Sequence, residues 1–234
     1  MVLISGSGYY VCFSQSLYSR SQSYSAGTNL QALIDACASN ALPHTQISLV
    51  FSNRKAAYGL TRAAQASPPI PTAYLSLQTY LKTRAGVTRD DYDEAVAWRI
   101  REEKPDVVVL AGWMHVLGQR FLDIIEGRIG DAPGEEAAAA IPVINLHPAL
   151  PGAFDGANAL QRAYDAFQRG DITKTGVMVH RVIKEVDQGE PIVVREVEFR
   201  EDETQESFEK RLHEMEWEVI VEATKKVLDQ AKAS

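Results

Sequence analysis

The first half of the chain alternates short apolar runs with segments whose apolar residues recur at helical spacing. The apolar runs cover residues 2–5, 47–52 and 107–111, and the helical segments cover residues 29–39, 56–66 and 91–103. The run at 107–110 is continuously apolar, as expected for a central parallel strand that is covered on both faces. Such alternation is typical of a parallel sheet with right-handed crossovers. We therefore predict an α/β fold with a doubly wound, mostly parallel sheet.

The second half adds further strands and then a helix. A short apolar strand at residues 141–144 precedes Asn145, residues 157–169 have helical spacing, and residues 176–182 and 192–199 read as strands. Residues 207–231 predict one long amphipathic helix. The recurring apolar face of that helix consists of Phe208, Leu212, Met215, Val219 and Val227.

Two segments interrupt this plan, and we interpret both as insertions. Residues 9–27 are rich in Ser and Tyr, have no clear period, and fall where a strand should turn tightly into a helix. Residues 129–140 contain Gly130, Pro133, Gly134 and a run of alanines, which is typical of a solvated loop.

Composition narrows the class of protein. A chain of 234 residues fits one domain, and its net charge of −7 without a long Lys/Arg block argues against nucleic acid or an anionic membrane as partner. No apolar run approaches the roughly 18 to 20 residues that span a bilayer, and the apolar start is too short for a signal peptide. We therefore expect a cytoplasmic protein.

Cysteine and histidine usage gives no sign of a disulfide or a metal site. Cys12 and Cys37 lie in unlike contexts, which favours free thiols. The histidines are widely scattered and lack ligand spacing, so no metal site is predicted. They are His44, His115, His147, His180 and His213.

Candidate chemistry begins with Asn145 and His147, which follow the apolar strand and precede Pro148 and Pro151. They should project from the carboxyl end of that strand, where open α/β sheets place their sites. Asp187 follows later, in an Asp-Gln-Gly turn. Taken alone, the histidine fits a hydrogen-bonded loop residue equally well, and the aspartate fits an ordinary turn residue.

The turn Ser5-Gly6-Ser7-Gly8 leaves the first predicted strand. Glycines let backbone N–H groups approach a phosphate, and a following helix N-terminus adds positive potential. An ordinary strand-to-helix turn has the same composition, so both interpretations stay open.

Together with Thr28-Asn29-Leu30-Gln31, Phe51-Ser52-Asn53 and the run Val107–Met114, these motifs resemble the phosphoribosylglycinamide formyltransferases, also called GAR transformylases, of the formyltransferase family. The resemblance runs from Val2 to Leu228, and the sequence around Pro151 is similar to that of the fungal branch. It implies formyl transfer from 10-formyltetrahydrofolate, the cosubstrate, to the amine of glycinamide ribonucleotide in purine (IMP) biosynthesis. It further implies that the protein uses no metal, and that it acts on small molecules as a monomer or homodimer.

The resemblance also assigns roles to the polar residues. Attack of an amine on a formyl carbon creates a developing oxyanion and a positively charged nitrogen. A protonated His147 and the Asn145 amide would stabilise the oxyanion, and Asp187 would orient His147 and accept the amine proton through a water. Residues 1–125 would form the nucleotide and phosphate half of a single domain, and residues 126–234 the catalytic and folate half.

Binding residues are carried over from the same resemblance. Those expected to meet glycinamide ribonucleotide are Gly8, Gly27, Thr28, Asn29, Met114, His213 and Glu216. Those expected to meet the folate are Arg89, His115, Val116, Leu117, His180, Lys184, Glu185 and Val186. At His115 the bacterial form of the family carries Arg, and at His213 it carries Gln.

Residues 9–27 separate Gly8 from Thr28, whereas the family pattern joins them directly. Their removal would restore the family loop, which suggests either a retained in-frame intron or a genuine surface excursion whose ends stay close. The interruption leaves open a catalytically impaired folate- or nucleotide-binding member. Methionyl-tRNA formyltransferase and formyltetrahydrofolate hydrolase use the same three polar residues, but each would need an additional domain for which we expect no room.

Overall fold

A computed structural model describes residues 2–5, 10–13, 27–130 and 139–233. Gly8, residues 14–26 of the first predicted insertion and residues 131–138 of the second lie outside the described residues. In chain order the strands are β1 (Val2–Ser5), β2 (Tyr10–Phe13), β3 (Gln46–Ser52), β4 (Thr72–Tyr74), β5 (Val107–Ala111), β6 (Val143–His147), β7 (Lys174–Arg181) and β8 (Pro191–Glu198). The helices are α1 (Thr28–Ala38), α2 (Tyr58–Gln65), α3 (Leu77–Thr83), α4 (Arg89–Arg101), α5 (Gln119–Ile125), α6 (Ala159–Gln168) and α7 (Gln205–Ala233).

The described strands form one sheet in the order β4-β3-β1-β2-β5-β6-β7-β8. The pairs β3–β4, β2–β5 and β5–β6 are parallel, while β6–β7 and β7–β8 are antiparallel. Strand β5 is buried along its whole length, which its unbroken apolar sequence predicted. The α/β class with added C-terminal strands and a long final helix is confirmed.

Strand β1 departs from the parallel arrangement, because it runs antiparallel to both β3 and β5. Ile4 pairs with Val107 at the start of β5, so the carboxyl end of β1 lies at the edge where β5 begins. In contrast, Phe13 of β2 pairs with Ala111 at the end of β5. Periodicity fixes the length and the faces of a strand but not its direction.

The core has a layer on each face of the sheet. On one face, α1 and α7 pack against the strands through a cluster that includes Leu30, Leu33, Phe208, Leu212 and Val219. On the other face, α4 and α5 contribute a second cluster that includes Tyr92, Val96, Ile100 and Phe121. Covering both faces leaves the strand ends as the place where polar side chains meet a cavity.

Candidate active site

Asn145 and His147 lie two residues apart near the end of β6 and therefore share one face of the strand. Strand β7 runs antiparallel beside β6 and places His180 directly opposite Asn145. His147 is 4% exposed and His180 is 2% exposed. Two imidazoles and an amide are thus brought together by the register of two strands.

Asp187 reaches this cluster from the loop between β7 and β8. Its Oδ2 lies 3.3 Å from His147 Nδ1 and accepts a 2.8 Å hydrogen bond from the Gly156 amide. Its Oδ1 accepts a hydrogen bond from Asn145 Nδ2 at 3.2 Å. Asp187 is 9% exposed and has a positive φ of 58°, which an aspartate tolerates better than most residues. Asp187 therefore contacts both of the other predicted catalytic residues.

Gly189 lets the Asp187 loop close against β7. A Cβ at this position would collide with the Arg181 carbonyl oxygen and lie 3.2 Å from His180 Nδ1. The close backbone approach explains why the turn after Asp187 ends in glycine.

The Asn145 amide nitrogen lies between two groups of the cluster. It donates to Asp187 Oδ1, and it lies 3.2 Å from His180 Nε2. His180 Nδ1 donates to the Arg181 carbonyl oxygen at 2.8 Å, and His180 Nε2 also lies 3.4 Å from Asp187 Oδ1. In this arrangement the Asn145 side chain links Asp187 to His180. From the sequence, the Asn145 amide was predicted to donate to an oxyanion.

The environment of His147 favours the neutral imidazole. Burial lowers the pKa of His147 below its ordinary 6.5, and the charge of Asp187 only partly offsets that effect. For Asp187, burial raises the pKa, but the neighbouring His180, the Gly156 amide and the charge of His147 together hold it below 3.8. The free site thus holds a neutral histidine against an ionised carboxylate, unlike the protonated His147 of the sequence-based account.

His147 Nε2 is buried and has no hydrogen-bond partner among the residues that the structure describes. Since Nδ1 faces Asp187, a neutral ring with its hydrogen on Nδ1 has a lone pair on Nε2. That tautomer is the one a general base requires.

A second polar cluster joins α1 to α7. Asn29 Nδ2 donates to Glu216 Oε2 at 3.0 Å, and His213 Nδ1 lies 3.2 Å from the same oxygen. Burial lowers the pKa of His213, but the hydrogen bond and charge of Glu216, with the charge of Glu209, outweigh it and raise the pKa above 6.5. This part of the site therefore favours a cationic imidazole.

Another part of the cavity lining is apolar. Met114 and Val116 are 48% and 50% exposed, and Ile183 and Val186, which line the same cavity, are 40% and 39% exposed. Leu117 also lines the cavity but is buried. An apolar slot of this kind suits a flat ring system.

All of these groups line one cavity of about 740 Å³. The predicted site residues that line it are Thr28, Asn29, Met114, His115, Val116, Leu117, Asn145, His147, His180, Lys184, Glu185, Val186, Asp187, His213 and Glu216. Gly27 and Arg89 do not line the cavity. Gly27 instead precedes α1 in a left-handed conformation, and Arg89 donates to the Val116 carbonyl oxygen at 2.5 Å.

The cavity also includes residues that sequence reasoning missed. Glu206, Glu209 and Lys210 share the α7 face of His213, and their spacing could have revealed them. Gly156 acts through its backbone amide, for which local sequence carries no signal. Within the described ranges, no group of three or more metal-binding side chains converges, and no helix is long and apolar enough to cross a membrane.

Comparison with known proteins points to the same family that the sequence motifs resemble. A family model described as formyl transferase matches residues 23–131 and 134–224. Phosphoribosylglycinamide formyltransferase of Schizosaccharomyces pombe is 42% identical over 210 residues, covering 88% of this chain and 95% of that protein. The enzyme of that name from Dictyostelium discoideum is 43% identical over 201 residues, covering 85% and 92%. The crystal structure of phosphoribosylglycinamide formyltransferase from Bacillus halodurans is 27% identical, with a TM-score of 0.71, covering 88% of this chain and 92% of that one.

Proposed function

This chain belongs to the formyl transferase family, and from that premise we propose that it transfers the formyl group of 10-formyltetrahydrofolate to the amine of glycinamide ribonucleotide, in purine (IMP) biosynthesis. The observation that carries the proposal is the contact of His147 with Asp187, and of Asp187 with Asn145, inside the cavity. The names of the relatives support formyl transfer to phosphoribosylglycinamide.

Two parts of the cavity differ in the way that these substrates require. The cationic His213, held by Glu216, suits the phosphate and sugar of the nucleotide, with Thr28 and Asn29 beside it. The apolar slot that includes Val116 and Val186 suits the pterin. The catalytic cluster lines the same cavity, where the substrate amine and the formyl carbon would meet.

The neutral ring of His147, with a lone pair on Nε2, can act as the general base in formyl transfer. The substrate amine attacks the formyl carbon, a C–N bond forms, and the carbonyl electron pair moves onto oxygen. His147 Nε2 takes a proton from the attacking nitrogen, and Asp187 stabilises the imidazolium that results. The oxyanion is held by the imidazolium and by a hydrogen of the Asn145 amide. When the C–N10 bond breaks, His147 returns the proton to N10, leaving formylated nucleotide and tetrahydrofolate.

We further propose that the cosubstrate is used without a metal and that the protein acts as a monomer or homodimer. In this proposal it works in the cytoplasm on small molecules and has no nucleic-acid or membrane partner. The net charge of −7 supports the absence of a polyanionic partner.

Product analysis tests the proposal against its alternatives. The purified chain is incubated with 10-formyltetrahydrofolate, with and without glycinamide ribonucleotide, and the formylated nucleotide is detected by mass spectrometry. Formylated nucleotide supports the proposal. Formate released equally without nucleotide identifies a hydrolase, and folate binding without any turnover identifies an impaired binding member; either result contradicts the proposal.

A further inference from the structure

The segment between β5 and α5 alternates between the protein interior and the cavity. Trp113 and Leu117 are 7% and 6% exposed, whereas Met114 and Val116 are about half exposed. The side chain of His115, between the two exposed residues, is only 8% exposed. This two-residue period of burial keeps the His115 ring packed into the wall of the cavity, while its two apolar neighbours are exposed in the cavity.

The inward ring meets Asp93 of α4, a carboxylate that is fully buried. His115 Nε2 lies 2.5 Å from Asp93 Oδ1, and the Gly118 amide donates to Asp93 Oδ2 at 2.8 Å. One carboxylate therefore holds two points of the segment, three residues apart. Burying a carboxylate costs free energy unless hydrogen bonds satisfy its oxygens. Losing either of these two contacts alone would therefore be unfavourable.

Other contacts from α4 fix the same segment. Arg89 donates to the Val116 carbonyl oxygen, and the Tyr92 ring packs edge-on against the His115 ring with centroids 5.4 Å apart. Tyr92 is itself anchored through its hydroxyl to the Leu75 carbonyl oxygen at 2.9 Å. The segment is thus fastened to a rigid helix on its interior side.

We propose that Asp93 and His115 are positioning residues for the folate, and that His115 serves by holding the segment rather than by contacting the cosubstrate. The inference rests on the proposed function and deepens it. Leu110, two residues before the segment, pairs with Asn145, so a shift of the segment moves the folate slot relative to the catalytic cluster. A slot preorganised in this way lowers the cost of ordering on binding.

The test separates folate affinity from stability and from nucleotide affinity. His115→Leu removes the ring N–H, whereas His115→Gln keeps a donor at nearly the same reach. Glu203→Gln is the matched control, because Glu203 is also buried, accepts from Arg211 and from a backbone amide, and lies outside the cavity lining. The Michaelis constants for both substrates, kcat and the melting temperature are measured for each variant.

We expect His115→Leu to raise KM for 10-formyltetrahydrofolate about tenfold, a modest effect for a misplaced binding surface. KM for glycinamide ribonucleotide stays unchanged, and His115→Gln recovers most of the loss. Glu203→Gln lowers the melting temperature without changing either KM. An unchanged folate KM in His115→Leu, or an equal rise in both Michaelis constants, would overturn the proposal.

A second variant and a binding readout guard against misfolding and against failure of the proposed function. Asp93→Asn keeps the side-chain shape but leaves one of its two hydrogen-bond donors facing an NH2 group, and we expect the same folate-specific loss. Binding of 10-formylfolate is followed by intrinsic tryptophan fluorescence, to which Trp113 beside His115 contributes. If the wild type binds the folate but transfers nothing, the proposed function fails while the dissociation constants still decide the role of Asp93 and His115. If the wild type binds no folate, both proposals fail.

Discussion

Nδ1 of His147 lies 3.3 Å from Oδ2 of Asp187, in a site where burial lowers the pKa of the imidazole. The carboxylate opposes that effect without reversing it, so the ring stays neutral around neutral pH while its conjugate acid has a partner ready. A base that gains a proton during the reaction and then returns it needs both properties.

Asp187→Asn should reduce kcat by about 10² or more, the usual range for disabling general acid–base catalysis. Loss of the negative charge also removes the main influence that raises the pKa of His147. In the wild type the acid limb of the kcat/KM profile, which reports the free enzyme, should lie below pH 6.5. In the variant that limb should move to still lower pH, and a move to higher pH would contradict the assigned interaction.

His213 should make nucleotide binding sensitive to pH. Its pKa is raised, so the ring is charged below its folded-state pKa and loses that charge, with its attraction for a phosphate, as pH rises. KM for glycinamide ribonucleotide should therefore climb as pH rises above 6.5, the ordinary value that the pKa of His213 exceeds. Glu216→Gln replaces the charged acceptor to which His213 Nδ1 donates and should start the climb at lower pH.

The matched control for that titration is His213→Gln, which cannot become charged. Its profile reports the ionisation of the substrate alone, and the difference from wild type reports His213. Identical profiles for the two proteins would show that His213 does not meet the nucleotide.

Gly189→Ala should destabilise the protein and displace Asp187 together. The added Cβ collides with the Arg181 carbonyl oxygen, and overpacking of this kind costs about 1–3 kcal/mol. Thermal unfolding and kcat should both fall, whereas Gln188→Ala, which alters an exposed neighbour in the same loop, should leave both near wild type. A Gly189→Ala variant with full activity would contradict the close approach.

Deletion of residues 9–27 should lower KM for glycinamide ribonucleotide, because it joins Gly8 directly to Thr28. With the segment present, Ser5 at the end of β1 lies at the edge of the sheet where β5 begins. Asn145 pairs with Leu110 and therefore lies near the opposite edge, where β5 ends. The shortened chain would also lack β2, which lies between β1 and β5, and would lead from the first strand into α1 as the family resemblance implies. Loss of activity on deletion, or a mature transcript that contains the segment, would favour a genuine surface excursion.

The sequence alone places side chains together where their positions depend on the repeat of a single strand or helix. Asn145 and His147 follow from the two-residue repeat of β6, and His213 and Glu216 from one face of α7. Asp187 could be placed beside His147 only through the family resemblance, since a turn aspartate has no local mark of its partner.

Other features needed the tertiary structure. Asp93 is one of several acidic residues in α4, and nothing in that run distinguishes the buried one that holds His115. Arg89 was expected at the folate but holds the Val116 carbonyl oxygen instead. The direction of β1 and the two contacts of the Asn145 amide nitrogen likewise arise from pairing between distant segments.

The most direct test of the account is the single-turnover rate of formyl transfer to glycinamide ribonucleotide by the wild type and by His147→Ala, with His44→Ala, on an exposed loop, as control. We predict transfer by the wild type and by the control, and a rate about 10²-fold or more lower for His147→Ala with both substrates still bound. Transfer by His147→Ala at the wild-type rate would contradict the central claim that His147 carries the proton.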